Sequence, residues 1–170
     1  MGQPLRSSMT EPSALVPAGH GPTTWFDGNV YTVKASAEST NGAMSVLESS
    51  ILPGSGPPLH VHTQEDEAFY VLSGQLSFTV GDEQFLGKAG DFVLVPRGVP
   101  HCFKNISAHV AHTIFVYTPA GFEKFFQEAG DPAVPGMPVP KWGPAEFERA
   151  AEIAARHGWE GPRTEQEAGR

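Results

Sequence analysis

Between Trp25 and about Tyr117 no periodic pattern runs for long. Short segments rich in Val, Phe, Ile and Tyr are cut off every few residues by Gly or Pro. That punctuation limits the fold more than any other feature. Helices need ten or more residues, strands only about five or six, and Gly and Pro interrupt both. Apolar segments this short and this regularly broken pack as an all-β sandwich or barrel. Candidate strands fall at 24–34, 43–52, 67–73, 75–80, 83–86, 91–95, 101–105 and 109–117. The 170 residues include 19 Gly and 16 Pro, about a fifth of the chain against a usual value of about 12%. With 39% hydrophobic residues there is material for a core, which excludes wholesale disorder.

Outside the strand-rich region the pattern changes. Residues 1–22 hold Pro, Ser and Gly without periodicity and read as a flexible arm, in which Met9 offers an alternative start to Met1. Phe122, Phe125, Phe126 and Ala129 recur at helical spacing between Pro119 and Gly130. Their stripe is expected to pack on the barrel or across its mouth. Four prolines between Asp131 and Lys141 rule out a helix or a central strand there. A second helix is expected from Pro144 to about His157, with Phe147, Ala150, Ala151 and Ala154 on one face and Gly158 as its stop. The expected organisation is therefore an arm (1–22), a barrel with its packing helix (23–130), and a Pro-rich linker, helix and polar tail (131–170).

Charge and cysteine usage remove several function classes. The net charge is −8 with no basic cluster, which argues against a nucleic-acid partner, since phosphate backbones need Lys and Arg. A single cysteine, Cys102, excludes an intrachain disulfide framework and a multi-cysteine zinc site. No apolar run approaches the roughly 20 residues of a membrane span, and the first residues lack the apolar stretch of a secretion signal. The expected location is the cytoplasm.

The chemistry concentrates in two stretches, 54–74 and 90–105. Side chains alternate along a strand, so His60 and His62 face the same way and form half of a metal site. Glu67, at the start of the next strand, can add an oxygen ligand, and Glu65 or Asp66 could replace it, although both read more simply as a solvated turn. His101 supplies a third imidazole beside the Pro96–Gly98 turn. His20, His109, His112 and His157 read as ordinary polar residues, with His112 the one that could enter the barrel. Cys102 should face away from His101 as a small buried hydrophobe, and Pro57 and Pro58 stiffen the approach to His60.

These two stretches resemble the paired motifs of the cupin superfamily. Gly54, His60, His62, Glu67 and Gly74 fill the first motif, and Gly90, Pro96, Gly98, His101 and Asn105 fill the second. The resemblance covers roughly residues 40–118 with one motif pair. It implies a double-stranded β-helix, or jelly-roll barrel, holding one divalent transition metal (Fe, Mn, Ni, Co, Cu or Zn) on His60, His62, Glu67 and His101. The strand end Val116–Tyr117 running into Phe122–Phe126, then a Pro-rich segment and a helix, is similar to small bacterial cupins of the quercetin 2,3-dioxygenase type.

The resemblance implies a metal-dependent dioxygenase acting with O2 on a small phenolic or enolic molecule. Three histidines and one carboxylate leave open positions on an octahedral ion, and Glu67 can serve as both ligand and base. Phe69 and Val71 share Glu67's face by alternation, and Phe78, Phe92, Phe103 and Phe115 are further candidates for an apolar lining. The alternative is a non-oxygenase cupin: a Lewis-acid isomerase or cyclase, or a small-molecule-binding protein. Relatives commonly pair their barrels through N-terminal strands, so a homodimer through 24–34 is expected.

Overall fold

The computed structural model describes residues 15–161; the expectations for the arm up to residue 14 and for the tail from 162 lie outside the described residues. In chain order the elements are β1 (Thr23–Phe26), β2 (Asn29–Ala35), β3 (Ser45–Ile51), β4 (Val61–His62), β5 (Asp66–Ser73), β6 (Gln75–Val80), β7 (Glu83–Lys88), β8 (Phe92–Val95), β9 (His101–Asn105), β10 (Ala111–Thr118), α1 (Glu123–Ala129), β11 (Asp131–Pro132), α2 (Pro144–Arg156) and β12 (Trp159–Glu160).

Seven strands form one antiparallel sheet in the order β11-β1-β2-β3-β10-β5-β8. A second layer joins β7-β6-β9 to the β4–β12 pair through a backbone bridge between His60 and His101, whose amides and carbonyls exchange hydrogen bonds of 3.0 and 2.8 Å. Alternation does the sorting. In β3 and β10 every second residue is buried, so Leu47, Ile51 and Phe115 turn inward. The inner faces meet through edge-to-face rings: Phe69 lies 5.2 Å from Phe78 and 5.6 Å from Phe103, ring centre to ring centre. This is the all-β, double-stranded β-helix with C-terminal helices that the motif pair implies.

The motif glycines and Asn105 hold the corners. Gly74 sits at φ +84° between β5 and β6, where an added Cβ would stand 2.8 Å from Ala111. Gly98, at φ +81°, donates its amide to the His62 carbonyl at 2.8 Å and so clasps the turn after β8 onto β4. Asn105 is buried and bonded on both sides of its amide, giving to Ile51 and His109 carbonyls and receiving from Ser107.

Several expectations change in detail. The single segment 24–34 is a hairpin, β1 and β2, turned at Asp27 and Gly28, both with positive φ, the geometry of a two-residue turn. Pro132 lies in β11 at the sheet edge, where a missing N–H is harmless. The apolar side chains behind the expected β1–β2 subunit interface are largely spent inside the subunit: Tyr31 and Val33 are buried, and Phe26 packs on the core. Exposed apolar side chains lie instead on the outer faces of β5 and β8, at Tyr70, Leu72, Phe92 and Leu94. Among the described residues, no helix is long and apolar enough to cross a membrane.

The helices close one end of the barrel. Phe122, Phe125 and Phe126 are buried, with Phe126 stacked on Tyr31 at 4.2 Å. Glu123 anchors α1 to β3: its carboxylate accepts from the Ala37 and Gly121 amides at 2.8 and 2.9 Å and from the Ser45 hydroxyl. On α2 the buried face is Ala150, Ile153 and Ala154, while Phe147 is half exposed.

Candidate metal centre

His60, His62, Glu67 and His101 converge inside the barrel. One ligand atom from each lies within 4.8 Å of all the others, and all four residues are buried. The His60–His101 backbone bridge sets two of them side by side. Alternation along β4 brings His62 to the same side, and β5 contributes Glu67 from the facing sheet. Glu67 Oε2 is 2.8 Å from His101 Nε2 and 3.2 Å from His62 Nε2.

Two of the imidazoles have fixed tautomers. His60 Nδ1 donates to the Pro58 carbonyl and His101 Nδ1 to the Val99 carbonyl, both at 2.9 Å. Each Nε2 lone pair is thereby turned to the centre. Pro58 thus supplies an acceptor as well as stiffness. Burial, then the charge of His101, push His60 down to about 3, so it is neutral at any ordinary pH. For Glu67, burial favours the neutral acid, but the charges and hydrogen bonds of His62 and His101 outweigh it and hold the carboxyl well below its usual range. Burial lowers His101, but the Glu67 bond and charge outweigh that and raise it. Three imidazoles with inward nitrogens and one ionised carboxylate, without thiolate, suit a divalent transition metal.

A cavity of about 320 Å³ opens onto the cluster. Phe103 and Phe115 line it as expected. Phe69 and Phe78 belong to the core beneath, and Phe92 is 62% exposed on the outer face of β8. Phe122, Phe125 and Phe126 of α1, whose stripe was expected on the barrel or across its mouth, form part of the wall, and Phe26 and Tyr31 from the hairpin and Trp159 from β12 were not foreseen. Trp159 stacks on His60 with ring centres 5.1 Å apart, and Phe122 meets His62 edge-on at 4.2 Å. Tyr117 lies beside Glu67, and burial followed by that charge keeps its phenol protonated.

The remaining candidates fall elsewhere. His112 is exposed, with Nδ1 3.2 Å from the Ser50 hydroxyl, and does not enter the barrel. His157 pairs with Glu128 at 3.2 Å, and His20 and His109 are exposed. Cys102 is half-buried rather than buried, because it points away from His101 into the outer layer. Asp66 is held by Arg97 through two side-chain bonds of 3.1 and 3.2 Å. Glu65 is not part of a solvated turn: it is 4% exposed, with Gly121 against its carboxylate.

Residues 47–117 match the family described as Cupin domain. Among curated proteins, quercetin 2,3-dioxygenase of Bacillus subtilis is 34% identical over 90 residues, covering 53% of this chain and 27% of that protein, so the chain spans about a quarter of that relative's length. Among solved structures, a predicted oxalate decarboxylase from Thermotoga maritima superposes with a TM-score of 0.58 at 22% identity, covering 62% of this chain and 99% of that one. KdgF from a Halomonas species does so with a TM-score of 0.58 at 16% identity, covering 66% and 98%. With both motifs filled, their residues at the corners and centre of the barrel, and this fold, residues 47–117 of the chain form a cupin domain.

Proposed function

We propose that the protein is a metal-dependent dioxygenase for a small, uncharged phenolic or enolic molecule. The observation that carries this reading is the cavity: aromatic side chains surround an opening onto the four-residue centre, and none of the described residues lining it is Lys or Arg. Such a wall suits a flat aromatic ligand and offers no counter-ion to a carboxylate or phosphate. His60, His62, Glu67 and His101 would hold the ion. When bound, it supplies a Lewis acid with open positions for substrate and dioxygen. Glu67, ionised and buried, accepts the proton of the substrate hydroxyl, while the protonated Tyr117 phenol beside it offers a hydrogen bond to the resulting anion. The apolar wall excludes water from the reacting groups.

The likeness to quercetin 2,3-dioxygenase makes flavonols the first probes. Protein loaded separately with Fe, Mn, Co, Ni, Cu or Zn is expected to consume oxygen with a flavonol or small enol when a redox-active metal is present and not with zinc. No uptake with any metal would favour a Lewis-acid isomerase or cyclase, or a binding protein. A cytoplasmic location suits the lone thiol of Cys102. A homodimer is also proposed, supported by the exposed apolar side chains of β5 and β8. Sedimentation at micromolar concentration is expected to give twice the chain mass, and a monomer would remove that part of the reading.

A further inference from the structure

His62 differs from the other two histidines of the centre. His60 and His101 each give their Nδ1–H to the carbonyl two residues upstream. For His62 that carbonyl is His60's, and it already accepts the His101 amide at 2.8 Å. His62 Nδ1 is buried without a hydrogen-bond partner, and so is Oε2 of Glu65. The two atoms face each other at 4.0 Å, on residues 2% and 4% exposed. Leaving either group alone in the interior is costly, and a ring movement of about 1 Å brings them to hydrogen-bond distance. His62 Nε2 lies on the side of Glu67, so the same ring can meet a metal on one edge and Glu65 on the other.

We propose that Glu65 is the positioning residue for His62: its carboxylate accepts the Nδ1–H, fixes the tautomer with Nε2 toward the centre, and strengthens that nitrogen as a donor. The inference rests on the metal-centre reading above. A carboxylate acceptor gives a charge-assisted bond, stronger than those the two backbone carbonyls make. It would make His62 the strongest of the three nitrogen donors to a bound ion. Oriented carboxylates behind ligand histidines typically contribute 10–100-fold in metal affinity.

The test uses the full chain stripped of metal and titrated with Co²⁺, read by its visible spectrum and by competition with a chromophoric chelator. Glu65→Ala is expected to lower Co²⁺ affinity about 10–100-fold and to shift the Co²⁺ bands. A merely structural role would leave affinity and spectrum alone. Glu65→Gln, whose amide oxygen still accepts but carries no charge, should fall between. Wild-type affinity and an unchanged spectrum in Glu65→Ala would overturn the assignment. If that variant does not fold, Glu65→Gln decides: a loss of severalfold supports the role of the charge, and wild-type affinity overturns it. Failure of the wild-type chain to take up Co²⁺ would remove the metal reading and this inference together; failure confined to the variants' effect removes only the inference.

Discussion

Glu67→Gln should reduce turnover by about 10²–10⁴-fold at full metal occupancy, the usual cost of losing a general base. Glutamine keeps the shape and one ligand oxygen, so the centre can still assemble when metal is supplied in excess. What it lacks is basicity. An amide cannot take a hydroxyl proton near neutral pH. The measurement is turnover at verified metal stoichiometry, on a substrate identified by oxygen uptake. Near wild-type rates would make Glu67 a ligand only and favour the Lewis-acid or binding alternatives.

The second large effect is on metal affinity as a function of pH. His101 is raised above its ordinary value because the Glu67 bond and charge outweigh burial. In the metal-free protein the stability from that proton is fully present below the unfolded value of about 6.5 and is lost as pH rises through the folded value. A metal needs the same imidazole neutral, so proton and metal compete. Affinity should therefore fall about tenfold per pH unit on the acid side of His101's raised pKa and level off above it. His60, at about 3, adds no competing proton in that range. Glu67 is depressed, so its stabilising charge is present above the usual carboxylate range and is lost only in strong acid. Chelator competition with Zn²⁺ between about pH 5.5 and 8.5 checks this, and a flat profile would mean that His101 is not a ligand.

How much of this was legible from residues alone depends on how local each feature is. The four residues at the centre were, because a ligand pair on a two-residue repeat and a third histidine after a Pro–Gly turn are short-range patterns. The barrel strands were legible for the same reason, through alternation. Phe92 was misplaced because alternation tells which residues share a face but not which face is inside; its partner Tyr70 faces outward with it, while Val93 and Phe69 turn in. Glu65 sits in an acidic run that looks solvated, but it is buried, with Gly121, far along the chain, coming against its carboxylate. The cavity wall was hidden likewise. Phe26, Phe122 and Trp159 line it from three segments far apart in the chain, and no local window contains all of them.

The β4–β12 pair bears on the order of assembly. His62 stands on a strand of two residues whose only ladder partner among the described residues is Trp159–Glu160, joined by the Thr63 amide and hydroxyl reaching the Gly158 carbonyl. On the ribosome the nine longer strands and α1 are complete before Trp159 is made, so the barrel can close while one side of the histidine cluster is still bare. In the finished molecule this ladder of two residues against two is also the smallest cooperative unit in contact with the cluster, and small units open at a fraction of the global unfolding free energy. Ion exchange should thus follow the release of β12 and the Trp159 ring from His60, and amide hydrogen exchange at residues 158–160 should outpace that of the long strands around them.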